Sequence, residues 1–593
     1  MARLVDPRRL TGRNLLLDGA GAGAQIVFDD LSDDSDDSNA VIDAVIADVR
    51  VAVAREGARV GLSSPLVVRR SGRTVSVAIS APIDGLMTAA ELLETAIVSV
   101  VGAPPAPPIV KQAVQPPVEL VEPVVVLTLE QTRASEENAA LVALVDEAAN
   151  RGIPTVWDDE GLTIGLGAHA QTWPLSALPT TVPWSTLSAV PVALVTGTNG
   201  KTTTTRLLAS ILRASGLVVG ATSTDGVVID GVVVEEGDWS GPGGARRVLR
   251  DARVTGAVLE TARGGLLRRG LALTGYDVAV VTNVAADHLG EYGIDDLDAM
   301  AEVKCLVTRG LTASGTAVLN AADARLRVQA QTIANPIAFF AYDLAVAVAA
   351  AGQASFGVVD INGAATIARA VDGVVVGIVA VREVPLCFDG AAGFNVENAC
   401  AAAAAASSMG IADLAIAAGL RAVSASFADS AGRANVVEHN EVTVVVDFAH
   451  NAAAMAALWS LIGHLVQSRR AKGGTPTVHF CIGAPGDRLD AELLALADAI
   501  VDGARAAGVL DTLSVVCREL HDYLRGRAPG AVPALLADRL RARGVTDIAF
   551  AADDVCALAL ALQQAQPGDV VVLTPLVDQA GVGALLGISG EHH

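Results

Sequence analysis

The chain of 593 residues carries 42 Lys and Arg against 65 Asp and Glu, a formal net charge of -23. That balance opposes binding to a polyanion, and no basic cluster with interleaved aromatics stands against it, so nucleic acid is not expected as a partner. Six scattered cysteines without C-x-x-C spacing indicate neither a disulfide framework nor a zinc site. At roughly 100–200 residues per domain the length allows three or four domains. Abundant alanine and valine with few aromatics suit helices packed on parallel sheets. Residues 1–10 hold Asp6, Arg8 and Arg9 with no signal-type apolar core, and no apolar run reaches membrane-spanning length, so the expectation is a cytoplasmic protein without a membrane partner.

Residues 1–102 alternate short apolar runs with polar turns and read as a small α+β domain. Ala40 to Val53 has helical spacing and Thr74 to Ile79 alternates like a strand. The acidic stretch Asp33-Asp34-Ser35-Asp36-Asp37 reads as a solvated loop. Prolines at 104, 105, 107, 108, 116 and 117 mark a stiff linker. A strand-like Val124-Val125-Val126-Leu127, a helix around Glu136 to Arg151 and a glycine-rich 161–167 follow, and this piece, Val124 to Thr180, is too short for a full catalytic domain.

The informative stretch comes next. The apolar run Val192 to Val195 opens into Thr196-Gly197-Thr198-Asn199-Gly200-Lys201-Thr202-Thr203, followed by Leu207, Leu208, Ile211 and Leu212 at helical spacing. A strand, a glycine loop and a helix start in that order form a phosphate cradle. Glycine lets the backbone approach, the helix end offers unpaired N–H groups, and Lys201 brings charge to the β/γ-phosphates. Thr202 is then placed to reach a magnesium ion. Val195 stands where the general Walker pattern has its first glycine, so Gly197 makes this a shortened version.

Alternating strands and helices after the loop predict a parallel sheet covered on both faces. Gly256 to Glu260 reads as a buried strand ending in a carboxylate, and Asp277 to Asn283 as another ending near Asp287 and His288. Strand carboxyl ends are where open α/β sheets bind ligands, so these groups propose one site with the loop. Glu260 would hold magnesium directly or through water, and His288 with a carboxylate would help hold a second ion. Alone, Glu260 reads equally as a surface residue, and His288 as a structural histidine. From about Ala434 a second α/β pattern begins, with strands ending at Asp447, Gly483, Val516 and Leu573, as in a Rossmann-like sheet. Gly483 to Arg488 is a loop at a strand's carboxyl end.

GTNGKTT at 197–203, LETARGG at 259–265, TNVAADHLG at 282–290, NVENACAAA at 395–403, GR at 432–433 and DFAHN at 447–451 together resemble the Mur ligase superfamily in order and spacing. Within it, the stretches 223–242, ETARGGLLRRGL at 260–271 and LRGRAPG at 524–530 are similar to the C-terminal half of cyanophycin synthetases. RRLTGRNLL at 8–16 resembles the opening of that family, and LGAHAQ at 166–171 resembles the first residues of its ATP-grasp domain, yet no ATP-grasp domain follows. The resemblance implies an α/β multidomain chain. It comprises an N-terminal α+β domain (1–102), a Pro-rich linker with an ATP-grasp remnant (103–185), a P-loop central domain (186–433) and a Rossmann-like C-terminal domain (434–593).

It also implies an ATP-dependent carboxylate-amine ligase working through an acyl phosphate. Gly197, Thr198, Asn199, Gly200, Lys201, Thr202 and Thr203 would hold the ATP phosphates. Thr202 and Glu260 would hold one magnesium ion and His288 a second, with Lys304 at the position of a lysine that is commonly carbamylated in the family. Asn398 would face the adenine, Arg433 the phosphates and Asp447 the ribose. The C-terminal domain would bind the incoming amine, with Asp487, Arg488, Asp522, Arg525 and Arg527 as lesser candidates. The implied partners are a small-molecule or short-peptide carboxylate acceptor and an amino acid, and relatives of this kind are often homo-oligomers. The missing ATP-grasp domain leaves a second reading open, a catalytically silent nucleotide-binding scaffold, and a nucleotide-hydrolysing switch is a third.

Overall fold

The computed structural model describes residues 2–29, 31, 36–102, 127–427 and 431–588. The proline-rich stretch, Val124 to Val126, Asp33 and Asp34 lie outside them. The described chain forms two compact units, one of residues 1–196, 217–279 and 290–315, the other of 197–216, 280–289 and 316–593.

The first unit begins with an antiparallel sheet in the spatial order Ala2–Leu10, Gly21–Phe28, Thr74–Ser80, Val67–Ser71. Helices Asp36–Val60 and Leu86–Val101 cover it, burying Ile42, Ile46, Val49 and Val53 from one and Leu92, Leu93, Ala96 and Ile97 from the other against Ile26, Val75 and Val77. Asp36 and Asp37 are not loop residues; they form the first turn of the 36–60 helix, where negative charge meets the positive end of the helix dipole. The helix expected around 136–151 is Ala139–Asn150, and a separate helix, Leu129–Glu136, precedes it. The break falls where Asn138 turns out of helical geometry and its side chain caps Leu141 N at 3.0 Å. The glycine-rich stretch supplies the buried strand Gly161–Ile164 of a small antiparallel sheet.

Further along the first unit, Gly256–Glu260 lies in parallel between Val192–Thr196 and Val219–Thr222. All three strands are buried, as their unbroken apolar sequence requires. Two short hairpin strands, Gly226–Ile229 and Val232–Glu236, extend the sheet antiparallel.

In the second unit, Leu311–Asn320 pairs in parallel with Ile337–Asp343 through residues 317–320, and that strand with Ala354–Ile361. An antiparallel meander, Ala364–Val371 and Val374–Ala380, completes the edge. The expectation of uninterrupted strand–helix alternation is corrected here and at the 226–236 hairpin. The turns are Asp230-Gly231, Asn362-Gly363 and Asp372-Gly373, with positive φ at both residues of each pair, the geometry of tight hairpins that Asn-Gly and Asp-Gly favour.

Residues 435–574 form a second sheet in the order Asn435–His439, Val442–Val446, Val570–Thr574, Val478–Ile482, Ser514–Arg518, Asp547–Ala551, parallel except for the first edge strand. Helices Ala452–Ala471 and Asp490–Ala506 bury Leu458, Ile462, Leu496 and Ile500 against Phe480 and Val572. Loops 447–451, 483–488 and 519–530 leave carboxyl ends of this sheet, the ligand-binding edge of such folds. Arg518, completely buried at that edge, donates to Asp554 Oδ1 at 2.7 Å and to the carbonyl of Thr574 at 2.9 Å. Asp554 in turn accepts the N–H groups of Val577 and Asp578.

Candidate functional site

Gly197 to Gly200 leads into the helix Lys201–Ala214. Gly200 is its N-cap at φ +81, and no side chain caps the first turn, which leaves the opening N–H groups pointing into the loop. Two glycines are sterically required. A Cβ on Gly197 would stand 1.8 Å from Thr282 Oγ1, and one on Gly200 2.2 Å from Asn398 Oδ1.

The loop is held open by its neighbours in the second unit. Thr198 N donates to the Asn283 carbonyl at 2.9 Å and Asn199 N to Asn283 Oδ1 at 2.9 Å. The carbonyl of Asn199 accepts from Thr282 Oγ1 at 2.6 Å and Asn283 Nδ2 at 3.1 Å, while Ala285 N donates to Thr198 Oγ1 at 3.0 Å. Asp323 fastens the far side through Val284 N at 2.7 Å. Lys201 Nζ donates to the Thr198 carbonyl at 2.9 Å, which lays the ammonium across the cradle.

A second motif reaches the same loop. Asn199 and Asn451 exchange side-chain hydrogen bonds at 3.2 and 2.9 Å, and Asn451 Oδ1 also caps the helix Ala452–Ala471 through Ala454 N. Arg433 lies over the Phe448 ring at 4.8 Å, with a long 3.5 Å contact to Thr202 Oγ1. Asp447 uses both oxygens on backbone, accepting from Ala434 N and Ala449 N at 2.7 Å each. Burial raises its carboxyl above the ordinary value against the pull of those bonds and of Arg433. Asn398, 7% exposed, sits beneath Gly200, where Oδ1 accepts from Thr204 Oγ1 at 3.3 Å and Nδ2 donates to Asn395 Oδ1 at 3.2 Å. Its amide is engaged in supporting the loop.

Asp287 and His288 follow the bracing segment, His288 with a left-handed backbone at φ +55. Asp287 pairs with Arg488 and lies 3.6 Å from His450 Nε2. Burial alone would raise the Asp287 carboxyl, but the neighbouring His450, Arg488 and His288 hold it well below the usual range. Arg488 is 6% exposed, and its Nε has no hydrogen-bond partner among the described residues. Arg527 spends its donors on the carbonyls of Gly486 and Arg488 and on Asp490, and Arg525 pairs with Asp487. Asp522 is exposed. The sequence names Asp287 beside His288 as part of the site but gives no individual role to Asn283, His450 or Asn451, although all three lie in motifs it singles out.

Glu260 and Lys304 belong to the first unit. Glu260, 2% exposed, ends its strand and lines a pocket with Ser240, Gly241, Pro242, Gly265 and Leu266. Lys304, 3% exposed, lies in the last turn of the helix Leu297–Cys305. The uncapped helix end, the glycine cradle and Lys201 fit a nucleotide phosphate. The hydroxyl of Thr202 and the carboxylate of Glu260 are hard oxygen donors of the kind magnesium takes. Among the described residues no group of three or more His, Cys, Asp or Glu side chains forms a metal centre by itself.

Residues 195–406 match the Mur ligase middle domain and residues 432–576 the Mur ligase glutamate ligase domain. The chain is 38% identical to cyanophycin synthetase of Crocosphaera subtropica over 391 residues, covering 65% of this chain and 42% of that one. It is 28% identical to UDP-N-acetylmuramoyl-L-alanyl-D-glutamate--2,6-diaminopimelate ligase of Corynebacterium glutamicum, over 67% of this chain and 72% of that enzyme. The chain thus spans about two fifths of the length of the cyanophycin synthetases it matches. Among solved structures, MurF ligase of Thermotoga maritima in complex with ADP aligns at TM-score 0.45 and 18% identity over 68% of this chain and 80% of that one. A bifunctional folylpolyglutamate synthase/dihydrofolate synthase with Mn, AMPPNP and L-glutamate bound aligns at 0.46 and 21% over 67% and 89%.

Proposed function

We propose that this chain, which belongs to the Mur ligase superfamily, is an ATP-dependent ligase that joins an amino group to a carboxylate and releases ADP and phosphate. The observation that carries the reading is the phosphate loop itself, an uncapped helix end with two obligatory glycines, held open by Asn283 and joined to the DFAHN motif through the Asn199–Asn451 pair. A structural turn would need none of these braces.

In this reading the N–H groups of the loop and Lys201 hold the ATP phosphates. Thr202, Glu260 and His288 are the residues that would hold magnesium, which would supply charge neutralisation over the migrating phosphate. Phosphoryl transfer asks for positioning and cations and little covalent help. The acceptor carboxylate attacks the γ-phosphorus and ADP leaves. The amine then adds to the acyl carbon of the resulting acyl phosphate, loses a proton, and phosphate departs as the amide forms. Asp287, flanked by Arg488 and His450, is the carboxylate we assign to receive the incoming ammonium group. Asp447 and Arg433 serve ribose and phosphates, and Asn398 keeps Gly200 in place.

We assign 1–102 as an N-terminal domain, 103–185 as linker, 186–433 as the ATP-binding domain and 434–593 as the amine-binding domain. The substrates are an amino acid, with arginine or a related basic amino acid first, and an aspartyl or similar carboxylate. Cyanophycin synthetases and the diaminopimelate ligase bear on this choice by name alone. ADP release by the purified chain with magnesium, screened with single amino acids against aspartate-containing acceptors, tests the proposal. The expected result is release that requires both partners and a product mass equal to their sum less water. Nucleotide binding without release for any pair would return the weight to a silent scaffold.

A further inference from the structure

The motif at 8–16 has no part in the chemistry above, and the structure gives it one. In the first unit it lies against the segment after Glu260. Thr11 N and Gly12 N donate to the Arg269 carbonyl at 2.8 and 3.2 Å, Leu271 N donates to the Arg13 carbonyl at 2.8 Å, and Arg8 Nε donates to the Leu267 carbonyl at 3.1 Å. A Cβ on Gly12 would stand 2.1 Å from the Leu271 carbonyl oxygen, and one on Gly270 2.5 Å from that of Gly12. The two stretches are therefore fitted backbone to backbone, and the result is a meeting of guanidinium groups far apart in sequence.

Arg9 comes from the N-terminal strand, Arg246 and Arg250 from the helix Pro242–Leu249 and its C-cap, and Arg269 from the end of the helix Arg263–Arg269. Two carboxylates face these four. Arg9 takes Asp159 with two bonds of 2.8 and 2.9 Å. Asp158 Oδ2 is shared, 2.6 Å from Arg250 and 3.2 Å from Arg246. Arg250 spends its remaining donors on Thr163 Oγ1 and the Gly161 carbonyl. Among the described residues Arg269 pairs with no carboxylate and makes one 3.3 Å bond, to the Arg9 carbonyl. Asp6 and Glu136 add negative charge nearby, but Asp6 is paired with Arg8, and Glu136 accepts from Met87 N and from Thr88. Among the described residues of this cluster, Arg246 and Arg269 are the two cations with the least counter-charge. Burial lowers both below the usual guanidinium value, and neighbouring arginines, Arg250 beside Arg246 and Arg9 beside Arg269, push the same way.

The pocket that Glu260 lines is walled by the same two helices, through Pro242 and Ala245 on one and Gly265 and Leu266 on the other. Arg246 follows Ala245, and the seven-residue helix that begins just after Glu260 carries Arg269 at its end, a rise of about 10 Å. We propose that Arg246 and Arg269 bind a second anionic group, a carboxylate or a phosphate, of the acceptor whose reacting carboxylate lies at Glu260. The acceptor is then a dianion or polyanion, and the N-terminal domain holds the wall that recognises it. The inference rests on the ligase reading for the word acceptor, while the anion site stands on its own contacts.

Calorimetric titration of the full chain, saturated with magnesium and a non-hydrolysable ATP analogue so that the phosphate loop is filled, tests it with two probes, a tetra-aspartate peptide and inorganic pyrophosphate. The wild type should bind one of them, with affinity falling as salt rises. R246Q/R269Q should weaken that binding at least tenfold while nucleotide affinity is unchanged. R269Q, which gives up a single bond to a backbone carbonyl, should show a smaller loss in the same direction if the double variant folds poorly. Preference for the peptide names a carboxylate and preference for pyrophosphate a phosphate. Binding of neither probe, or equal binding by wild type and variants, overturns the site. Failure of the ligase reading would look different, as probe binding intact without any ADP release that depends on acid and amine.

Discussion

The phosphate loop at 197–201 and the arginine wall around residues 246–269 both gather positive potential, but from different materials. In the loop the charge is mostly backbone, N–H groups at a helix end fixed by Asn283, Thr282 and Asn451, with Lys201 as the lone ammonium. In the wall it is all side chain, and Arg9 and Arg250 are consumed in holding Asp159 and Asp158 so that Arg246 and Arg269 stand beside them. A backbone cradle is fixed in shape by a contiguous stretch of sequence. A guanidinium wall exists only once distant segments have packed.

The largest effect should come from the one loop element that is neither backbone nor brace. Lys201→Ala removes a single bond to the Thr198 carbonyl and should leave thermal unfolding nearly unchanged while lowering turnover by about 10³-fold or more, the scale for losing a fixed charge over a transferring phosphoryl group. ADP release and a melting curve on the same preparation decide it. Substantial turnover in the variant would mean that the backbone alone makes the site.

Legibility in the sequence follows the same division. The phosphate loop, its strand and its helix could be read directly, because GTNGKTT fixes backbone geometry over seven adjacent residues. The parallel strands at 192–196, 256–260, 442–446 and 570–574 could be read from their apolar runs, with ends displaced by a residue or two. The meander at 354–380 was missed although Asn362-Gly363 and Asp372-Gly373 signal it, since strand–helix alternation on both sides suggested one continuous pattern. In TNVAADH the sequence points to Asp287 and His288 but not to Asn283, and it gives no partner for Asp287. The roles of Asn283 and Asp287 depend on partners at Asn199, His450 and Arg488, between about 80 and 200 residues away, which no local spacing reveals. The arginine wall was invisible for the same reason, its members spread from Arg9 to Arg269 in a chain whose net charge points the other way.

Asp287 gives the comparison an acid limit. Its carboxyl is held below the usual range in the folded chain by His450, Arg488 and His288 acting against burial. The folded state therefore keeps it ionised at pH values where the unfolded chain has already protonated it. The stability it contributes is complete above the unfolded pKa of about 3.9 and is lost as pH falls through the lower folded value. Asp287→Asn should cost about 3 kcal/mol at pH 7, because Arg488, 6% exposed, keeps its charge without its partner. Denaturant titrations from pH 7 down to pH 3 should show the wild type approaching the variant at the acid end. Parallel curves throughout would mean that the pair contributes nothing specific.

The smallest effect separates brace from grip within the wall. Arg250→Gln breaks bonds to Thr163 Oγ1, Asp158 and the Gly161 carbonyl at 2.9, 2.6 and 3.0 Å, and should lower stability by about 2 kcal/mol, the sum of a charged bond and two ordinary ones after solvent exchange. Arg246→Gln gives up one 3.2 Å contact to the same carboxylate, which Arg250 retains, so its cost should stay within about 0.5 kcal/mol. Equal losses in chemical denaturation would make both residues structural and leave the wall no free cation on that helix. Unequal losses in this order are what a surface held by one arginine and presented by another requires.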